Sequence, residues 1–293
     1  MSAASRRDAP AAVRWTAYVA VAIVFAIACA FLSNWQFSRN EQRSEQLALV
    51  AANYGVDPVP LADVIPPGGR LAAGDEWTPV TLTGTYLPDD QLLARNRAHG
   101  GTAAFEVLVP FRLEDGRVVL VDRGWVPPGN QQNSPDHVPA APEGEVTVVV
   151  RLRPGEPLPA SGRTAPDGQV PTIHLPTVAR LIDPAAGDAL ERSAYGVMVS
   201  EDPAPATRPE ALEAPSDDPG PHLSYAVQWI LFAIMGFVFI GYIIRTERAH
   251  RREEAEDAAL GDEAASPRDP AAKRRSRDRD AEDEDALLDA AGR

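Results

Sequence analysis

Hydrophobic positions gather into two uncharged runs, one near each end of the chain. Residues 15–33 (WTAYVAVAIVFAIACAFLS) and 226–244 (AVQWILFAIMGFVFIGYII) contain 19 residues each. At about 1.5 Å of rise per residue, a helix of this length spans roughly 28 Å, close to the hydrocarbon thickness of a bilayer. We therefore predict two transmembrane helices rather than two buried helices of a globular core. Aromatic residues of the kind found at membrane interfaces lie at or near the ends of the runs: Trp15, Tyr18, Trp35, Trp229 and Tyr242.

The first run also has features of a cleaved signal peptide. Ala28, Cys29 and Ala30 loosely resemble a small-x-small cleavage site, and the cysteine raises the alternative of a lipoprotein. However, the apolar stretch is longer than the roughly 7 to 15 residues of a signal-peptide core, and Ala26 stands where a lipoprotein signal normally has leucine. We therefore expect an uncleaved membrane anchor.

The segment after the first run has a helical pattern. Trp35, Arg39 and Arg43 repeat every four residues, which places them on one helical face. No proline or glycine interrupts this segment, so we expect the first helix to continue to about Asn53.

The middle of the chain has the pattern of a β-rich domain. Turn residues separate short β-branched or aromatic runs, EDGR indicates a hairpin, and LPTVARLI and DPVPLADVIPPGGR predict short helical pieces. We predict a membrane α+β protein in which two transmembrane helices flank an extracytoplasmic, mainly antiparallel β domain, built as a sheet or a partly closed barrel. The predicted strands lie in EWTPVTLTGTYLP, QLLARNR, AAFEVLVPFRL, GRVVLVDRGWVP, EVTVVVRLRP and YGVMVSE.

Basic residues flank the two hydrophobic runs on their outer sides and indicate the orientation. We expect the protein in the plasma (inner) membrane. By the positive-inside rule, both of its termini are expected on the cytoplasmic side. These arginines are Arg6, Arg7 and Arg14 before the first run, and Arg245, Arg248, Arg251 and Arg252 after the second. The predicted segments are a cytoplasmic N-terminus (1–14), helix one (15–33), an extracytoplasmic part (34–222), helix two (226–244) and a disordered cytoplasmic tail (245–293).

Composition narrows the possible functions. The formal net charge of the 293 residues is −14, which argues against nucleic acid as a partner. The single cysteine, Cys29, excludes an intrachain disulfide, a cysteine-based zinc site and covalently attached haem. The sequence lacks the G-x-S-x-G, P-loop, H-E-x-x-H and G-x-G-x-x-G motifs, so we expect a protein that is not an enzyme.

His222 is the candidate for chemistry, because it stands where the second hydrophobic run begins. If a helix starts near Ser224, then His222, Tyr225 and Trp229 lie along one face. A neutral imidazole there can ligate haem iron while an aromatic neighbour packs against the macrocycle. A histidine near a helix start can equally be solvated or satisfy a free N–H group, and the residues alone favour that structural role.

Three arginines add to the candidate site. Arg39 and Arg43 leave the first predicted helix at about the depth where His222 enters the second, so they could pair with haem propionates or with lipid phosphates. Arg123, in VDRGWVP, is more simply interpreted as a turn-stabilising hydrogen-bond donor.

Four segments in this order, between two predicted spans, resemble the surfeit locus protein 1 family, in a bacterial, actinobacterial form. They are WQFSRNEQR, LLARNR, FEVLVPFRLEDGRVVLVDRGWVP and GPHLSYAVQW, and the resemblance covers residues 14–245. The chain departs from the family pattern at Arg43, where lysine is frequent, at Asp122, where asparagine is frequent, and at Pro221, where several members have asparagine.

The resemblance implies an assembly factor for haem-copper cytochrome c oxidase that aids haem a insertion or maturation of the catalytic subunit. It implies the catalytic subunit or other assembly factors as partners, together with membrane lipid, and His222 as an axial haem ligand. The cofactor-binding set is then His222, Tyr225, Trp229, Arg39, Arg43 and Trp35, and the structural motif residues are Gln36, Arg123, Gly124, Trp125 and Pro127. Two alternatives stay open: a pure protein chaperone that never binds haem, and a two-span membrane sensor or receptor.

Overall fold

The computed structural model describes residues 11–130 and 134–263. Its helices are α1 (Ala11–Asn53), α2 (Leu61–Val64), α3 (Leu175–Leu181), α4 (Pro184–Ala189) and α5 (His222–Glu263). Its strands are β1 (Val59–Pro60), β2 (Pro79–Tyr86), β3 (Leu92–His99), β4 (Thr102–Leu113), β5 (Val118–Val126), β6 (Val146–Arg153), β7 (Gln169–Val170) and β8 (Tyr195–Asp202). The chain divides into two compact units. One contains the long helices up to Ser38 and from Pro221, and the other contains Arg39–Gly220.

The long helices α1 and α5 correspond to the two predicted spans. The predicted continuation of the first helix to Asn53 is confirmed. Helix α5 begins at His222, two residues before the predicted start, and continues to Glu263. The prediction of disorder is therefore wrong for residues 245–263, which are helical. On this part of the helix, Arg251 and Glu247 form a stabilising ion pair of 3.1 Å at a spacing of four residues. Residues 264–293 of the predicted tail lie outside the described part.

Small side chains mediate the contact between α1 and α5. Cys29 and Ala226 are buried there, and the Ser33 hydroxyl donates a 2.9 Å hydrogen bond to the carbonyl oxygen of Ala226. Farther along α5, Gly236 lies against the ring of Phe25. Small residues let two helix backbones approach closely, which is the usual packing mode of membrane helices.

The remaining surfaces of these helices are apolar and exposed. Both helices are long and apolar enough to cross a membrane by length and composition, and none of the most apolar stretch of α5 is buried. Phe31 of α1 and Val238 of α5, for example, are 70% and 66% exposed. A core helix of a globular protein would be covered, so this exposure argues against the globular interpretation.

The β domain contains one mixed sheet in the order β1-β2-β6-β8-β5-β4-β3-β7. Antiparallel pairings predominate, as predicted, but β1–β2, β3–β7 and β5–β8 are parallel. The sheet curls so far that β2, which pairs with β6, also pairs with β4, and these pairings join β2, β6, β8, β5 and β4 in a circuit. Gly84 permits the pairing of β2 with β4, because a Cβ atom at that position would collide with the backbone of Arg112.

Hydrophobic residues cover both faces of the sheet. Along β4, Val107 and Val109 belong to one buried cluster, and Leu108 between them belongs to the other. This strand is therefore buried on two sides, which explains its continuous apolar sequence. Helices α3 and α4 contribute to the second cluster through Val178 and Ala186.

Helix α4 was not predicted, although its sequence carries a start signal. The Asp183 carboxylate accepts the backbone N–H groups of Ala185 and Ala186 at 2.9 and 3.3 Å, and Pro184 occupies the first turn. Aspartate followed by proline is a favourable helix start. The helix is only six residues long, too short to give a hydrophobic period.

The outer end of α1 is attached to the β domain. The Asn53 side-chain amide donates to the carbonyl oxygens of Gly74 and Glu76 at 2.7 and 2.8 Å. Beside it, the Arg151 guanidinium lies 3.7 Å from the centre of the Tyr54 ring and donates to the Tyr54 carbonyl oxygen. These contacts order the helical extension against β6.

Candidate functional site

The structure brings His222 and Gln36 together. Nδ1 of the half-buried His222 lies 3.0 Å from Oε1 of Gln36. With the Gln36 amide in this orientation, Nδ1 carries the proton and donates it, because the amide oxygen is an acceptor. The lone pair of the imidazole is then on Nε2, the nitrogen that would be available to a metal. Sequence reasoning placed Gln36 only in a structural motif, and the contact gives it a more specific role.

The aromatic neighbours of His222 follow it along α5. Tyr225 and Trp229 lie three and seven residues after it, so the helix places all three on one face. Tyr225 is 47% exposed, whereas the Trp229 ring packs edge-on against Phe232 with their centres 5.7 Å apart. The predicted aromatic face is thus present, with Trp229 fixed by a neighbour on its own helix.

The arginines of the predicted site have protein partners. Arg43 donates to the carbonyl oxygen of Ser216 at 2.7 Å and to that of Asp218 at 2.8 and 3.0 Å. It therefore fixes the segment that precedes His222 in the chain. Arg39 donates to Gln42 at 3.3 Å, and Trp35 is 47% exposed on the same helix. A propionate-binding role for Arg39 and Arg43 stays a prediction.

Arg123 is fully buried in the β domain and forms an ion pair. Its Nη2 atom donates to Oε1 of Glu201 at 2.7 Å, and Nη1 donates to the carbonyl oxygen of Pro139 at 3.1 Å. The Tyr86 hydroxyl donates to Oε2 of Glu201 at 3.0 Å, and burial together with the Glu201 charge raises the pKa of Tyr86. The bond to Pro139 ties down the connection between β5 and β6, but the predicted turn-stabilising role is incomplete, because the main partner of Arg123 is a carboxylate on the distant strand β8.

Gly124 and Trp125 complete this motif. Gly124 has a φ of +123° and lies directly beneath the carbonyl oxygen of Glu210, so a side chain has no room there. Trp125 and Glu210 exchange two backbone hydrogen bonds of 2.9 Å, and the Trp125 ring stacks on His99. Pro127 follows directly after β5. The motif therefore has a structural role, because it attaches the segment around Glu210 to β5.

A second set of charged side chains lies close to β5, and sequence reasoning missed it. Arg97 pairs with Glu106 and Glu156, each at 2.7 Å, and His99 Nε2 lies 2.9 Å from Glu106. Asp122 is buried beside them, and its Oδ1 atom accepts the N–H of Gly124 at 3.1 Å. A signal was present in the sequence, because Glu106 and Asp122 each interrupt an apolar β-run.

Asp122 is the most strongly perturbed acid of this cluster. Burial, followed by the nearby charge of Glu106, raises its pKa well above the ordinary value of 3.8. At pH values between the ordinary and the raised pKa, the folded state therefore holds a proton that the unfolded chain has released. Protons bound only in the folded state make stability decrease as pH rises through the interval between the two pKa values.

Asp122→Asn should remove this pH dependence. The asparagine oxygen can still accept the Gly124 N–H, so we expect equal or higher stability at neutral pH and a flatter profile above about pH 4. Urea unfolding of the full chain in detergent, repeated from about pH 4 to about pH 9, measures the free energy of unfolding at each pH.

Asp115→Asn is the control with the opposite sign. Burial acts to raise the pKa of Asp115, but hydrogen bonds and the charge of Arg117 lower it overall. The Asp115 carboxylate stabilises the folded state less as pH falls and the group becomes protonated. Asp115→Asn should therefore change the free energy of unfolding only at the acidic end of the pH range. An Asp122→Asn profile that parallels the wild type would show that Asp122 is ionised in the folded protein.

Comparison with known proteins places these features in a family. The family model described as the SURF1 family matches residues 23–234. SURF1-like proteins of Mycobacterium tuberculosis and Mycobacterium bovis are each 38% identical over 246 residues, covering 82% of this chain and 88% of theirs. The cytochrome oxidase assembly protein SHY1 of Saccharomyces cerevisiae is 26% identical over 130 residues, covering 42% of this chain and 32% of that protein.

The family match includes α1 from residue 23, the whole β domain and the first part of α5. It therefore contains the His222–Gln36 contact as well as the buried Arg123–Glu201 pair. The resemblance inferred from the four sequence segments is confirmed, and the chain belongs to the SURF1 family.

Proposed function

We propose that this protein is an assembly factor for haem-copper cytochrome c oxidase. The observation that carries the proposal is the family match over residues 23–234, together with the similarity to a yeast protein named for cytochrome oxidase assembly. The expected partner is the catalytic subunit or another assembly factor. Membership of a family of assembly factors also supports a role without catalysis of its own.

The finer proposal is that His222 holds haem a in transit as an axial ligand. In support of it, Oε1 of Gln36 lies 3.0 Å from Nδ1 of His222, an arrangement in which Nδ1 carries the proton and the lone pair of Nε2 is available to a ligand. The imidazole is half-buried rather than enclosed, which suits a site that must both accept and release its cargo. If haem binds, Nε2 of His222 would ligate its iron. Tyr225 and Trp229, on the same face of α5, would supply aromatic surface for the macrocycle.

The membrane arrangement belongs to the same proposal. We infer that α1 and α5 span the plasma membrane, because their outer surfaces are apolar and exposed. The packing of Cys29 and Ser33 against α5 supports retention of the first helix rather than its removal as a signal peptide. The cytoplasmic placement of both termini, inferred from the flanking arginines, stays a prediction.

His222→Ala should abolish haem binding without unfolding the protein. The change removes the ligand but leaves the small-residue contact of α1 with α5 intact. We expect loss of the Soret absorbance of protein purified from cells that make haem a, with an unchanged circular dichroism spectrum. Gln36→Leu should weaken binding by roughly 10- to 100-fold, because it removes the hydrogen bond that orients the ligand.

His250→Ala provides the matched control, because it makes the same change on the same helix at an exposed position. It should keep the full absorbance. Wild-type protein that carries no haem when haem a synthesis is active would contradict the ligand proposal. If cells with His222→Ala still assemble active oxidase, the alternative of a protein chaperone that does not bind haem is favoured.

A further inference from the structure

A groove rich in arginine lies on α5 just after its apolar stretch ends. Its volume is about 430 Å³, and its lining combines small, apolar and cationic residues. The lining residues are Gly241, Ile244, Arg245, Arg248, Ala249 and Arg252. A Cβ atom added to Gly241 would meet no other atom within 4 Å, so this end of the groove is open.

The charges in the groove are not neutralised by carboxylates in the described part of the chain. Arg248 lies over the ring of Trp15, 4.7 Å from its centre, and this contact leaves its positive charge uncompensated. Neither Arg245 nor Arg252 forms an ion pair with a described residue. By contrast, the neighbouring Arg14 and Arg251 are both paired with Glu247.

This arrangement differs from a set of arginines that only marks membrane orientation. Arginines 245, 248 and 252 are spaced by three and four residues, so they converge on one helical face. Beside them, the small Gly241 and Ala249 leave space next to the apolar Ile244. A ligand that fits must carry negative charge near the arginines and apolar groups toward the membrane.

We propose that this groove binds the phosphate headgroup of an anionic phospholipid, with the first carbons of an acyl chain over Gly241 and Ile244. Guanidinium groups recognise phosphate oxygens through paired hydrogen bonds, and juxtamembrane basic residues attract anionic lipid. The inference rests on the membrane-spanning arrangement proposed above, but it is independent of haem binding.

The test measures lipid retention by the full chain in detergent. Phosphatidylglycerol and phosphatidylcholine with identical acyl chains are added, and native mass spectrometry counts the lipids that stay bound. We expect preferential retention of phosphatidylglycerol. Neutralising the groove with Arg245→Gln, Arg248→Gln and Arg252→Gln together should weaken that retention by roughly 100-fold, since each cation near the surface contributes about fivefold.

Two further variants distinguish lipid binding in the groove from attraction of the lipid to positive charge elsewhere on the protein. Gly241→Leu should fill the apolar end and reduce phosphatidylglycerol retention without changing any charge. The control replaces Arg70, Arg163 and Arg208, which are exposed in the β domain, with glutamine and should retain lipid like the wild type.

Equal retention of the two lipids, or unchanged retention by the triple groove variant, would overturn the proposal. Displacement of phosphatidylglycerol by an equal concentration of inorganic phosphate would also overturn it, because the groove would then bind free phosphate. A chain that is fully extracted from membranes by alkaline carbonate without detergent would instead contradict the membrane-spanning arrangement.

Discussion

Replacing Arg123 with methionine is expected to lower the free energy of unfolding of the full chain by about 3 to 5 kcal/mol. The guanidinium is fully buried and is the ion-pair partner of Glu201, whose side chain is 1% exposed. Methionine fills much of the same space, but it leaves a carboxylate in the interior without its cation. The Pro139 carbonyl oxygen also loses its donor. Urea unfolding in detergent, followed by tryptophan fluorescence, gives the measurement.

A second change distinguishes loss of the ion pair from loss of packing. Adding Glu201→Gln to Arg123→Met removes the uncompensated charge while the Tyr86 hydroxyl keeps an acceptor. We expect the double variant to be more stable than Arg123→Met by about 2 kcal/mol, because removing both members of a buried pair is far less costly than removing one. Arg180→Met, at an exposed position of α3, serves as the control and should unfold like the wild type.

If the Arg123→Met and double variants are equally unstable, the cost comes from packing rather than from the charge of Glu201. If Arg123→Met unfolds at the wild-type urea concentration, the buried pair does not stabilise the β domain. Because the comparison uses two variants and an exposed control, it remains informative even where Arg123→Met alone accumulates poorly.

Gly124→Ala is expected to release the segment around Glu210 from β5. At a φ of +123°, an L-residue is strained by about 1 to 3 kcal/mol, and the added methyl group would also collide with the Glu210 carbonyl oxygen. The two backbone hydrogen bonds between Trp125 and Glu210 cannot survive that collision. We therefore expect lower stability by about 3 kcal/mol in total and faster cleavage after Glu210 by a glutamate-specific protease.

Gly74→Ala is the matched control for this change. A Cβ atom at position 74 would meet nothing within 4 Å, and the backbone there is not in the left-handed region. It should leave both the unfolding midpoint and the rate of cleavage after Glu210 unchanged. Equal cleavage rates in Gly124→Ala and the wild type would show that the Trp125–Glu210 bridge does not hold the segment.

The long helices and most strands were predictable because their signals are local. An uncharged run of 19 residues, a two-residue alternation and a short β-branched run each report the environment of one element directly. Helix α1 and strands β2 to β6 and β8 follow one or another of those patterns. Helix α5 beyond residue 245 was misjudged, since a charged segment of low hydrophobicity is typical of disorder. Its arginine and glutamate side chains instead form pairs at helical spacing, such as Arg251 with Glu247.

The partners of the buried charges could not be predicted from the sequence. Arg123 and Glu201 are separated by 78 residues, and only the parallel pairing of β5 with β8 brings their strands side by side. In the same way, Gln36 reaches His222 across 186 residues because α1 packs on α5. Pairings of this kind depend on the order of strands and helices in space, which no local pattern encodes.

By itself, the sequence determined two membrane-length helices, a β-rich middle and a histidine at the start of the second helix, because hydrophobic period and position are properties of neighbouring residues. The tertiary structure decided which side chains meet. It gave His222 an acceptor in Gln36, paired Arg123 with Glu201 and placed Gly124 beneath Glu210. The physical reason is that a buried polar group must find a partner, and its partner is whatever the packing of the whole chain brings within about 3 Å.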